Sequence, residues 1–169
     1  MPKPIKGTYP VYFETYISKV NEDNVKDAFK MQADIVNNFF DSISEEKSGH
    51  AYAPGKWTIK ELLQHIIDAE RIFAYRALSF SRKETTSLPS FDENSYADNS
   101  YANERNWQSL IDEMKAVRKT TEMLFDSFNT DMLNQSGVAN NNPVTVNAIG
   151  FIIVGHLNHH KKVLEERYL

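Results

Sequence analysis

His156 and His160 stand four residues apart near the C-terminal end of the chain. In an α-helix, residues at that spacing lie one above the other on a single face. Two imidazoles on adjacent turns can reach one ion, since nitrogen–metal bonds of ~2.0–2.1 Å fit between them. Both fall on the apolar stripe marked by Ile149, Ile153 and Leu164, so the pattern predicts that they point inward. A buried histidine pair without a ligand is costly. Each ring has a donor and an acceptor to satisfy, and one proton serves two rings poorly. A divalent metal satisfies both.

A third ligand must come from another helix. His65 is the other histidine inside a helical pattern, three residues after Leu62. Three neutral imidazoles leave coordination positions open, as in a catalytic rather than a structural metal site. A lone helical histidine is ordinarily a satisfied core or boundary residue, so the paired spacing is what points to metal. His159 competes with His160 as a partner for His156. It lies about 100° from His160 around the helix, and is assigned to the helix surface or an interface. His50, in Ser-Gly-His-Ala-Tyr, reads as solvated.

Asp68 follows His65 by three residues. It could accept the second ring N–H of a bound histidine, carry a proton, or replace a histidine as ligand; the plain alternative is a solvated helix face. Glu61 has the spacing of a capping partner for Thr58. Glu165 and Glu166 read as surface partners of Lys161 and Lys162. No Ser–His–Asp set and no glycine-rich phosphate loop is present.

Four segments with helical periodicity must position these groups. The first runs from about Glu22 to Ser44, with Asn24 as its cap. The second runs from Thr58 to about Arg82, opened by the Thr58/Glu61 capping box. The third runs from about Asn103 to Phe128, and the fourth from about Thr145 to Tyr168. The stretch from Gly137 to Pro143 reads as a loop, and no segment shows sustained period-two alternation. Four amphipathic helices predict an all-α four-helix bundle. Residues 1–169 suit one domain, with residues 1–20 as an extended, proline-containing N-terminal arm. Tyr9, Tyr12, Phe13 and Tyr16 of that arm would cover the bundle or pack on a neighbour.

Composition narrows the function classes. Lys and Arg number 19 against 23 Asp and Glu, a net charge of −4. That balance gives no electrostatic reason to bind nucleic acid. The chain has no cysteine, so any thiol chemistry needs an exogenous thiol. The N-terminus has no apolar signal-peptide core, and the apolar run from Ala148 to Leu157 is short of the ~20 residues of a membrane span. A soluble, cytoplasmic protein is expected.

The chain resembles the DinB superfamily, in its YfiT-like branch of metal-dependent hydrolases and thiol transferases. The resemblance is carried by Gly55-Lys56-Trp57-Thr58 leading into His65-Ile66-Ile67-Asp68-Ala69-Glu70-Arg71. Leu88-Pro89-Ser90-Phe91-Asp92-Glu93-Asn94 and Gly155-His156-Leu157-Asn158-His159-His160 complete it. It implies a four-helix bundle whose His65, His156 and His160 hold Zn²⁺, Ni²⁺ or a similar ion, and frequent homodimers. It further implies low-molecular-weight thiol cosubstrates such as bacillithiol, mycothiol or glutathione.

The expected function is a metal-dependent enzyme acting on a small molecule. A bound Zn²⁺ brings the pKa of a coordinated water to about 7 and deprotonates a coordinated thiol. The first outcome serves hydrolysis, the second transfer of the thiol to an electrophile, which the resemblance favours. The Phe91-Asp92-Glu93-Asn94 stretch would line the pocket mouth. The rival reading is a non-catalytic metal-binding or dimerising bundle.

Overall fold

The computed structural model describes residues 1–169. The expectation of an extended arm over residues 1–20 holds only as far as Pro10. Val11–Phe13 forms a 3-10 turn and α1 (Glu14–Ile17) follows directly. The cause is a four-residue repeat: Tyr9, Phe13 and Ile17 are all buried, and only helical turns bring them to one side. These aromatics pack on their own bundle.

Asn24 caps α2 (Val25–Met31) by accepting from the Lys26 amide at 2.9 Å. The single helix expected from Glu22 to Ser44 is broken. Regular structure ends at Met31, and a π-helical stretch (Ile35–Phe39) and a 3-10 turn (Phe40–Ser42) carry the chain onward. The break sits at buried Gln32. Its amide nitrogen donates to the Val154 carbonyl at 2.8 Å and to Asn158 at 2.7 Å, and its carbonyl accepts from Arg118. A short turn, α3 (Glu45–Ser48), leads to the second long segment.

α4 (Ile59–Ser81) starts with the expected capping box. The Thr58 hydroxyl accepts from the Glu61 amide at 3.2 Å, and the Glu61 carboxylate accepts from the Thr58 amide at 2.8 Å. The connection after it contains α5 (Glu93–Asp98), capped by Asp92. α6 (Trp107–Asp126) begins at Asn106, and α7 (Thr130–Asn134) is a further single turn.

The expected loop at Gly137 to Pro143 is instead an antiparallel hairpin, β1 (Ser136–Ala139) and β2 (Asn142–Thr145). Its two-residue turn, Asn140-Asn141, has φ of 51° and 58°. Asparagine tolerates this left-handed region, and such a turn matches the twist of paired strands. Leu88 is laced to the hairpin, donating to the Val138 carbonyl at 2.9 Å and accepting from the Asn140 amide at 3.0 Å. The hairpin thereby fixes the segment that follows α4.

α8 (Val146–Arg167) is the hub of the molecule. Every residue from Val146 to Leu157 is buried, so this half is enclosed all round rather than on one stripe. α1, α2, α4 and α7 pack on it, and α4 packs in turn on α6. The long helical segments form a four-helix bundle, with the hairpin as the one departure from an all-α fold. No helix is long and apolar enough to cross a membrane.

Two glycines permit the crowding around α8. A Cβ on Gly150 would meet the Val25 side chain at 2.4 Å, and one on Gly155 would meet the Tyr16 carbonyl oxygen at 2.1 Å. The second obstacle is backbone and cannot swing aside. Gly155→Ala is therefore expected to destabilise by about 1–3 kcal/mol through overpacking, outweighing the ~1 kcal/mol gain in helix propensity. Urea unfolding measures the sign, and faster proteolysis of the first twenty residues locates the displacement.

Candidate metal centre

His65 projects from α4, and His156 and His160 from successive turns of α8. The Nε2 atom of His156 lies 3.0 Å from Nε2 of His65 and 3.0 Å from Nε2 of His160. One ligand atom from each ring falls within 4.8 Å of the others. Three nitrogens bound tetrahedrally at ~2.0–2.1 Å stand about 3.3 Å apart, so the two 3.0 Å spacings about His156 are close to those around a shared ion. His159 points elsewhere, with its ring 5.4 Å from Tyr16. His50 lies by Tyr168, 6.4 Å between centroids.

The protonation arithmetic favours a cation here. A neutral imidazole offers one N–H and one lone pair. The single lone pair on His156 Nε2 cannot accept from both neighbours, and its single N–H cannot serve both. A positive ion facing three lone pairs removes the conflict and places each proton on Nδ1. His160 Nδ1 is buried without a partner, a cost of about 1–3 kcal/mol that strong engagement of Nε2 must offset.

Asp68 does not join this cluster. Its carboxylate accepts from Gln64 Nε2 at 2.9 Å and lies 4.0 Å from Arg71. Gln64 in turn accepts from Arg105, and Glu113 from both Arg71 and Arg105. Asp68 thus belongs to a polar network between α4 and α6. No carboxylate hydrogen-bonds to any of the three rings. The expected pairing fails because Gln64, one turn earlier on the same helix, engages Asp68 instead.

A cavity of about 370 Å³ opens over the three imidazoles. Tyr12, Phe13 and Tyr16 close one side, Trp57 and Phe73 line it from the α4 side, and Ser90, Phe91 and Glu93 form a further wall. The expectation for the Phe91–Asn94 stretch divides here: Phe91 and Glu93 line the cavity, while Asp92 caps α5. Arg76 and Asn140 also reach it. Asn140 carried no local signal for this place. Arg76 lies three helical turns beyond His65 (eleven residues), a same-face spacing that could have identified it.

Burial governs the electrostatics. It pushes the His65 pKa down to about 4, with Glu93 pulling weakly the other way. His156 and His160 are held well below the ordinary imidazole value by burial and then by repulsion from neighbouring imidazoles, His160, His65 and His159 for the first and His65 and His159 for the second. Burial raises the Tyr16 hydroxyl, and Glu93 adds to the shift.

The sign of the pH dependence follows for metal-free protein. Unfolded histidine takes up a proton near pH 6.5, while folded His65 resists until about pH 4. Stability from this group is full above pH 6.5 and declines as the pH falls toward 4. His65 alone should contribute a loss of about 2 kcal/mol between pH 6.5 and 5. Urea midpoints of chelator-treated protein test this, and His65→Gln should flatten the slope by that amount.

The DinB superfamily model matches residues 28–164. YfiT from Bacillus subtilis, described as a probable metal-dependent hydrolase with an unusual four-helix bundle topology, superposes with a TM-score of 0.68 at 16% identity, over 97% of this chain and 90% of its own. A mycothiol-dependent maleylpyruvate isomerase superposes with a TM-score of 0.67 at 9% identity, over 85% of this chain and 59% of its own. At these identities the likeness is one of fold. No curated protein matches in sequence. The matched region runs from α2 through α8 and includes both histidine-bearing helices: the chain belongs to the DinB superfamily.

Proposed function

We propose that this protein is a divalent-metal-dependent enzyme, with His65, His156 and His160 as ligands, that transfers a low-molecular-weight thiol to an electrophilic small molecule. The observation that carries the reading is the convergence of three Nε2 atoms at the floor of an accessible cavity. The donor set is all nitrogen, which suits Zn²⁺ or Ni²⁺. Such an ion supplies Lewis acidity, lowering the pKa of whatever thiol or water occupies its open position.

The protein's own groups divide the remaining work. The three imidazoles stay neutral at physiological pH, because burial opposes their protonation, and so remain available as ligands. Tyr12, Phe13, Tyr16, Phe73 and Phe91 give the space above them an aromatic lining. Glu93 is the one carboxylate lining the cavity, and its charge is felt at His65. In this reading Glu93 takes the proton released by an entering thiol or water, the role the sequence suggested for Asp68.

Hydrolysis by metal-activated water is the second reading, favoured by the likeness to YfiT, described as a probable metal-dependent hydrolase. Thiol transfer draws support from the likeness to a mycothiol-dependent isomerase. Both readings use the same three ligands.

Metal analysis of protein purified without an imidazole column should find about one transition-metal ion per chain, lost in His65→Ala, His156→Ala and His160→Ala. A panel of small thiols with a model electrophile should then show turnover that chelation abolishes. Glu93→Gln should keep the ion while lowering kcat on the order of 100-fold. Turnover of ester or amide substrates without thiol would select hydrolysis, and metal retention in the triple alanine variant would refute the ligand assignment.

A further inference from the structure

Three cationic side chains are buried in this protein: Lys60, Arg76 and Arg118. Two have carboxylate partners. Arg118 donates to both oxygens of Glu70, at 2.9 and 2.8 Å. Lys60 donates to Glu45 at 2.5 Å and to the Arg105 carbonyl at 2.6 Å.

Arg76, only 7% exposed, has none. Its one hydrogen bond runs from Nη2 to the Pro89 carbonyl at 2.7 Å. Its guanidinium carbon stands 5.6 Å from the centre of the Phe73 ring. Nε and Nη1 carry no protein partner, and the side chain lines the cavity over the histidine triad. Tyr12 is the titratable group whose charge reaches it. A guanidinium has five N–H donors in a planar fork, so Arg76 keeps donors free where it lines the cavity. The other two buried cations are paired with carboxylates, whereas Arg76 lines the cavity with donors that an entering anion can engage.

The helix supplies the direction. Arg76 and His65 share a face of α4, with Cα atoms ~16 Å apart at 1.5 Å per residue. Helical side chains lean toward the N-terminus, which aims Arg76 back along the cavity toward the triad. Between the two ends the α4 wall is Ala69 and Phe73, with Phe91 also lining the space. A ligand engaging both ends is therefore extended, with an apolar middle. Arg76 is the single cation among the lining residues, and Glu93 shares the space. One positive charge near one negative charge suits a singly charged carboxylate better than a phosphate dianion.

We propose that Arg76 is the anion-binding residue of the site, receiving the carboxylate of an organic-acid substrate whose apolar body lies along Phe73 and Phe91 and whose reacting atom meets the triad. This rests on the cavity being the substrate site. Calorimetric titration of the full-length chain, as purified and after chelation, with hydrocinnamate, hydrocinnamamide and phenyl phosphate tests it. The acid should bind at least about tenfold more tightly than the amide, the worth of one charge-assisted hydrogen bond. That preference should persist after chelation. Arg76→Gln should reduce acid affinity to that of the amide while leaving amide affinity unchanged, which also reports a correctly folded cavity. Arg76→Lys should retain part of the preference. Equal affinity for acid and amide, no binding at millimolar concentration, tighter binding of phenyl phosphate, or a preference that survives Arg76→Gln but vanishes on chelation would each overturn the assignment. Metal content is read on the same preparations, so a cavity that selects acids without holding an ion, and an ion centre without acid selection, identify which of the two readings has failed.

Discussion

Three imidazole nitrogens facing one another inside a helix bundle set the constraint around which the rest is arranged. Burial forbids the rings to charge, and neutral rings at 3.0 Å cannot all be satisfied by sharing protons. Left to themselves they would rotate apart or admit water. They stay together because α4 and α8 are packed closely along their length, each under independent control. A capping box fixes the start of α4, and Thr145 caps α8 by accepting from the Ala148 amide at 3.2 Å. Rigid elements place such ligands more reliably than loops do.

The second requirement is an opening on one side only. α8 is enclosed by its neighbours until Leu157, with glycines where the closest neighbours press. Gly155, immediately before His156, lets the α1 backbone come so near that Tyr16 packs edge-on against the His156 ring at 5.1 Å. The N-terminal segment is therefore a wall of the site. The opposite wall belongs to Ser90, Phe91 and Glu93, held by the bridge from Leu88 to the hairpin. Segments remote in sequence close two sides of a cavity whose floor comes from two helices.

Much of this was written in local pattern. The Thr58/Glu61 spacing located the start of α4, and the i, i+4 histidines on an apolar stripe located the floor of the cavity, because helical periodicity converts spacing into direction. What escaped detection depended on pairing across the chain. The hairpin strands are four residues each, too short for alternation to register, although Asn140-Asn141 was a turn signal. The first helix breaks where Gln32 meets Arg118 and the Val154 carbonyl, partners far away in sequence. Asp68 looked suited to a histidine because of its separation from His65. Spacing alone could not show that Gln64 holds it, whereas the stretch from Phe91 to Asn94 was expected at the pocket mouth and brings Glu93 to the cavity.

The distribution of satisfied and unsatisfied polar groups separates architecture from chemistry in this molecule. Arg118, Glu70 and Gln32 form a closed set in the interior, with both Glu70 oxygens and the Gln32 carbonyl engaged. Such a set gains nothing from a ligand, and losing one member would strand a buried charge. The triad and Arg76 are built the opposite way. They stand on α4 and α8 and line one cavity, where ring nitrogens and N–H donors have no carboxylate partner. Desolvation strengthens every interaction such groups make with an entering cation or anion. A chain able to complete the Glu70–Arg118 pair had the means to complete these as well. Its incomplete ionisable groups are concentrated at one cavity, basic nitrogens at one end and a guanidinium at the other, which is the arrangement expected of a site that binds a metal and a charged organic molecule together.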